Sequence, residues 1–257
     1  MAKLKEQGRG AFIPFIVAGD PNMDATEQAL LALDRAGADI IELGVPYSDP
    51  LADGPTIQAA ATRALAAGCT LNKAIDVVRR ASPKMQASIL MFTYFNPIMR
   101  RGLEQFCRDI KEAGASGLLV PDIPLEETGP VREVATAAGL ELVLLTTPTT
   151  PLDRMEAIAT VSQGFVYLVS VTGVTGQRTS MESRVEGLIE QLHSITDKAV
   201  AVGFGVSGPE QAKQIMEWGA EGVIVGSALV KALGDAASPE EGLQAMEKLA
   251  RSIREAI

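Results

Sequence analysis

One histidine, two cysteines and one tryptophan stand among 257 residues. A lone His193 leaves a Ser-His-Asp triad or a multi-histidine metal site little to work with. Cys69 and Cys107 make neither a disulfide framework nor a zinc site, so no metal is expected and a reducing compartment fits best. Basic residues are outnumbered, 23 against 32 acidic, for a net charge of -9. No Lys/Arg-rich run stands out, so nucleic acid is not an expected partner. Apolar residues make up 47% of the chain but fall in short runs. None approaches the roughly 18 needed to span a bilayer, and the opening MAKLKEQGRG lacks the apolar stretch of a secretory signal. No linker, low-complexity tract or composition shift divides the chain, which points to one domain over 1–257. If the chain is an enzyme, carboxylates are left as its proton carriers.

What is abundant is a regular alternation. Eight short apolar, β-rich runs recur: 12–20, 38–45, 87–94, 117–123, 140–147, 165–172, 199–206 and 222–227. Most are apolar on both alternating sets of positions, the pattern of parallel strands covered on both faces. The segments between them read as helices. Residues 24–36 carry Ala29, Leu30, Leu33 and Ala36 at helical spacing, and 55–82 reads as two helical pieces broken at Gly68. Ser207–Glu210 and Ser238–Glu241 look like capping boxes, and Thr150-Pro-Leu-Asp153 puts proline at a first helical position. A weak repeat marks four helix-to-strand joins, at Gly37, Gly114, Gly139 and Gly219, where glycine suits the left-handed turn that stops a helix. Eight βα units in this length predict an α/β fold, the (β/α)8 TIM barrel, with a doubly wound open sheet as second choice. The first ten residues are expected to form a short extra helix over the barrel bottom.

In such a barrel the site lies at the C-terminal strand ends. Glu42 is the odd residue there, a carboxylate in the apolar run ADIIELGV. It reads either as a strand-end carboxylate paired to a lysine or to amides, or as an acid/base whose pKa is raised by burial. Asp53 ends a Pro/Gly/Asp loop, where aspartate caps turns as readily as it does chemistry. Two carboxylates facing one ligand could be separated by environment into an acid and a base. Asp49 and Asp122 read as turn or helix caps. Gly-rich turns after the sixth to eighth strands, around Gly176, Gly205 and Gly226-Ser227, place amides near helix N-termini, as a phosphate requires. Arg178 is the only basic residue evident nearby. Phe204 fits core packing or an aromatic wall of the barrel mouth, and Tyr167 reads equally as core. His193 and Trp218 read as structural.

These residues carry a resemblance. IELGVPYSDPLADGPTIQ (41–58), FVYLVSVTGVTG (165–176), AVGFGVSGPEQ (201–211) and GVIVGSALV (222–230) resemble the tryptophan synthase alpha subunit family, essentially end to end. The resemblance implies a lyase that cleaves 1-(indol-3-yl)glycerol 3-phosphate by a retro-aldol reaction to indole and glyceraldehyde 3-phosphate, in tryptophan biosynthesis. It implies that Glu42 and Asp53 are the catalytic carboxylates. Phe15, Tyr167 and Phe204 would line the indole pocket, and Thr175 would orient Asp53. Gly176, Gly205, Gly226 and Ser227 would hold the phosphate. No cofactor is implied for this chain. Pyridoxal phosphate belongs to a partner beta subunit in an alpha2beta2 heterotetramer, and 46–55 and 173–187 would be contact and closure loops. The implied compartment is the cytoplasm, or the plastid stroma for a plant source.

Val171-Thr172 departs from the Arg-containing loop of most bacterial members and resembles the cyanobacterial and plant branch. That branch includes stand-alone indole-glycerol-phosphate lyases, so a lyase releasing free indole without a partner is the alternative. A different phosphosugar isomerase or aldolase would call for a strand-end lysine or histidine, and none is evident. A non-catalytic allosteric partner would have no use for Glu42 and Asp53.

Overall fold

The computed structural model describes residues 1, 4, 6–169, 178–203 and 205–257, with side chains described throughout except at 178–183. Eight parallel strands close into a barrel in sequence order. They are β1 Ala11–Val17, β2 Ile40–Gly44, β3 Ser88–Phe92, β4 Gly117–Leu119, β5 Glu141–Thr146, β6 Val166–Val169, β7 Val200–Gly203 and β8 Gly222–Val225. Closure is made by β1, which pairs with β2 on one side and β8 on the other. All seven residues of β1 are buried, as a strand covered by side chains inside and helices outside must be. Phe12, Ile13, Ile16, Ile41, Leu43, Ile89 and Met91 are among the largest fully buried side chains. Each such burial stabilises the fold by roughly 1.5–3 kcal/mol.

The helices follow from their sequences. Met23–Arg35 starts where the Asn22 side chain accepts from the Ala25 amide, 2.8 Å away. The 55–82 stretch is two helices, Pro55–Ala66 and Leu71–Ala81, parted at Gly68. Ser238 caps Pro239–Arg254 by accepting from the Glu241 amide. Gly37, Gly114, Gly139 and Gly219 all take positive φ, between 76° and 104°, at the four repeated joins.

Three local expectations need correction. The cap of Pro209–Glu217 is Gly208 and not Ser207, whose amide and hydroxyl are both committed to Gln211 Oε1. Helix Leu152–Val161 begins after Pro151, because Thr150 turns back to accept from the Thr147 amide. The closure loop expected over 173–187 is helical from Arg178, in Arg178–Ile195, and 173–177 lie outside the described residues.

Met1 and Leu4 pack at the N-terminal ends of the strands, over a space lined by Asp39, Ser88, Ser116 and Phe165. Asp39 pins this end. It accepts from the Phe12 amide at 2.9 Å and pairs with Arg9 and Arg254. Among the described residues no helix is long and apolar enough to cross a membrane.

Candidate active site

At the opposite end, the C-terminal mouth of the barrel holds a cavity of about 310 Å³. Its walls include Phe15 from β1, Glu42 from β2, Phe92 from β3, Tyr167 from β6 and Ile224 from β8. Its rim includes Asp53, Gly205, Gly226 and Ser227. The described residues implied for catalysis, ring binding and phosphate binding are thus brought to one cavity. Thr175, Gly176 and Phe204 lie outside the described residues.

Glu42 reaches this cavity because β2 runs parallel beside β1, in register with Phe15. It is 1% exposed, and its Oε1 has no hydrogen-bond partner among the described residues. Among the described residues no ion pair or amide contact compensates that oxygen, so the reading of a satisfied structural carboxylate does not hold for it. Desolvation raises the Glu42 pKa to about 8. The group is therefore mainly the neutral acid at pH 7.

Asp53 stands in a different environment. Desolvation raises its carboxyl to about 6, opposed by a hydrogen bond from Tyr94. The Tyr94 hydroxyl donates to Asp53 Oδ2 at 3.1 Å and accepts from the Ala52 amide at 2.9 Å. Tyr94 also stacks on Tyr47, with ring centroids 5.2 Å apart. One tyrosine beyond the end of β3 therefore holds both ends of the loop that carries the aspartate. Desolvation comes first among the causes that raise the Tyr94 hydroxyl beyond its ordinary range, and the charge of Asp53 adds to it. The phenol stays protonated and keeps donating.

The ring-lined part of the cavity is shaped by glycines. A Cβ on Gly44 would lie 2.7 Å from Phe15 Cζ, and one on Gly203 would collide with the Tyr167 hydroxyl. Both rings therefore lean on bare backbone. Phe15 meets Phe92 edge-on at 5.3 Å. The result is an apolar slot with carboxyl groups at its edges, suited to a flat aromatic that carries an N–H.

At the rim, Gly205 has φ +82°, a left-handed turn that glycine takes without strain. Gly226 precedes helix Ser227–Gly234. The first N–H groups of a helix have no partner inside it, and this suits an anion.

Just past the end of β1, Arg63 clamps Asp20 through Nε at 2.8 Å and Nη2 at 2.9 Å. Asp20 is itself 1% exposed. The pair ties helix Pro55–Ala66, which follows Asp53, to the end of β1. Asp122 accepts from the Phe95 amide at 2.9 Å, the helix-capping role expected of it. His193 meets Glu221 away from the mouth, and Trp218 packs against the core.

Sequence reasoning missed Tyr94, Phe92, Thr56, Ile57 and Lys231. Tyr94 sits two residues beyond β3, so scanning every strand end would have found it. Lys231 follows Ser227 by one helical turn, and it corrects the expectation that Arg178 is the only basic residue nearby.

The family model described as tryptophan synthase alpha chain matches residues 1–257. The tryptophan synthase alpha chain of Picosynechococcus sp. is 58% identical over 254 residues, covering 99% of this chain and 96% of that one. The Arabidopsis thaliana protein of the same description is 56% identical over 256 residues, covering 100% and 93%. Tryptophan synthase subunit alpha from Legionella pneumophila superposes with a TM-score of 0.91 at 35% identity, covering 100% and 95%. A chain from the tryptophan synthase α2β2 complex of Pyrococcus furiosus superposes with a TM-score of 0.89 at 40% identity, covering 95% and 97%.

Proposed function

The chain belongs to the tryptophan synthase alpha chain family, and from that premise we propose how its site works. It is a carbon–carbon lyase of tryptophan biosynthesis, cleaving 1-(indol-3-yl)glycerol 3-phosphate to indole and glyceraldehyde 3-phosphate. Residues 1–257 act as one catalytic barrel. Glu42 and Asp53 are its two catalytic groups.

The observation that carries this reading is the buried Glu42 oxygen, without a partner among the described residues, in a cavity that Asp53 shares. Aldol cleavage needs an electron sink, and the indole ring becomes one when C3 is protonated. Glu42, neutral at pH 7, gives its proton to C3. Asp53, ionised at pH 7, accepts the hydrogen bond of the ring N–H and stabilises the positive charge that develops there. The Glu42 carboxylate then takes the proton of the hydroxyl on the carbon attached to C3. The C–C bond breaks, its electrons return to the ring to give indole, and the hydroxyl carbon leaves as the aldehyde. Glu42 ends protonated, as it began. Separated carboxyl pKa values near 8 and 6 suit these two roles. No cofactor is assigned to this chain.

Phe15 and Tyr167 line the ring slot, joined by Phe204. Gly205, Gly226 and Ser227, with Gly176, cradle the phosphate, and Thr175 orients Asp53. The partner is a pyridoxal-phosphate-bearing beta subunit in an alpha2beta2 assembly. The assigned compartment is the cytoplasm, or the plastid stroma for a plant source.

A second reading, the stand-alone lyase, is favoured by one specific observation. Tyr94 already fixes Asp53 from within the chain, so the catalytic loop is held without a partner. Indole release, measured with and without a beta subunit, tests both. Release accelerated by the partner supports the heterotetramer. Fast release unchanged on its addition supports the stand-alone lyase. No release under either condition refutes the assignment of Glu42 and Asp53.

A further inference from the structure

The cavity that holds the two carboxyl groups also has a basic side chain at its rim. Lys231 lines it together with Gly205, Gly226 and Ser227. It stands in helix Ser227–Gly234, four residues after Ser227. Residues four apart share a helix face, and helical side chains lean back toward the N-terminal turn. Lys231 therefore lies over the turn where Ser227 and Ala228 border the cavity.

Its ammonium group is uncommitted among the described residues. Lys73 and Lys111 hold backbone carbonyls, and Lys198 holds three. Lys84 and Lys213 pair with carboxylates. Lys231 has no hydrogen bond or ion pair among the described residues. Apart from it, the charged side chains lining the cavity among the described residues are the carboxyl groups of Glu42 and Asp53. The chain as a whole is acidic, at -9. Among the described residues, a dianionic phosphoryl group entering this mouth meets backbone amides, which carry partial charge, and the full positive charge of Lys231.

We propose that Lys231 is the residue that draws in and holds the substrate's phosphoryl group from the solvent side, a role separate from the chemistry at the ring. This rests on the reading of Gly205, Gly226 and Ser227 as the phosphate cradle. The cradle sets the direction of the phosphate, and Lys231 supplies the charge. Its contribution is electrostatic and solvent-facing, so salt screens it. It acts on binding, where charge-assisted contacts are the stronger ones, and leaves the C–C bond-breaking step to Glu42 and Asp53.

The test is Lys231→Met, with Lys231→Arg as the charge-preserving control. At low salt, Lys231→Met should raise KM for indole-glycerol phosphate about tenfold and hold kcat within about twofold, a loss within the range of one charged hydrogen bond. Lys231→Arg should recover most of the loss. Raising salt to about 0.5 M should shrink the gap between wild type and Lys231→Met to about threefold or less. Titration calorimetry with glycerol 3-phosphate reads the same site without turnover, and its Kd should weaken in parallel. Unchanged glycerol 3-phosphate affinity in Lys231→Met would overturn the proposal, as would a loss confined to kcat or an arginine variant as impaired as methionine. If wild type binds glycerol 3-phosphate and Lys231→Met does not, yet neither cleaves indole-glycerol phosphate, the proposal stands and the catalytic assignment fails.

Discussion

Replacing Glu42 with glutamine should change how stability depends on pH, and the size of the change follows from burial. An exposed glutamate ionises near 4.5, and Glu42 in the folded chain ionises near 8. Between those values the folded protein holds a proton that the unfolded chain has released. Stability therefore falls as pH rises through this interval. The loss is absent below about 4.5 and complete above about 8. At ~1.4 kcal/mol for each pH interval, wild type should lose about 4 kcal/mol at this site between pH 5 and pH 9. Water reaching the ionised carboxylate would bring the loss nearer 2 kcal/mol. Glu42→Gln carries no such titration. Asp53 titrates in both proteins and cancels in their difference. The glutamine amide, placed where an oxygen already lacks a partner, adds a pH-independent cost of roughly 1–3 kcal/mol. The slope is thus diagnostic, and the level at any one pH is not. Urea denaturation at pH 5, 6, 7, 8 and 9, followed by the fluorescence of Trp218, measures it. Glu42→Gln should gain on wild type steadily up to about pH 8, while indole release falls by about 10²-fold or more. Parallel stability curves for the two proteins would refute the account of Glu42 as a desolvated neutral acid.

Two further outcomes rest on the same geometry. The pH profile of kcat/KM should be a bell, rising near 6 as Asp53 ionises and falling near 8 as Glu42 does. Tyr94→Phe removes the hydrogen bond that lowers the Asp53 pKa, so it should move the acid limb upward and leave the alkaline limb in place. Lys198→Met should destabilise the barrel by roughly 1–3 kcal/mol in thermal or urea denaturation, with KM unchanged. It strips one donor from three backbone carbonyls, of Ala159, Thr160 and Ser162.

The barrel was legible because most of the strands are apolar on both faces, a signal with few imitators in an α/β chain. Strand ends were not legible. The apolar run 117–123 overshoots β4, which stops at Leu119, because Val120 stays 1% exposed after the ladder ends. Burial outlasts hydrogen bonding wherever a strand feeds an enclosed site. Glu42 could be singled out because its oddity is local, one charge among apolar neighbours. The environment of Asp53 could not, because burial by the folded barrel and a hydrogen bond from Tyr94, 41 residues away in sequence, set it. Lys231 escaped notice for a related reason. A lysine in a surface helix looks like any other until the fold sets its first turn on a cavity.

The two glycines behind the rings bear on redesign. Phe15 rests against Gly44 and Tyr167 against Gly203, so the aromatic slot is backed by main chain at both places. Main chain cannot be trimmed. An engineer seeking room for a bulkier indole gains nothing by shaving residues behind these rings, since no side chain is there to shave. Space has to come from the rings themselves or from Ile57, Phe92 and Ile224 along the other walls. In the other direction, a single methyl on either glycine would drive its ring inward. The tolerated ring size thus has a hard limit on one side of the pocket and an adjustable limit on the other, so substituents on the indole should be accommodated according to which wall they face.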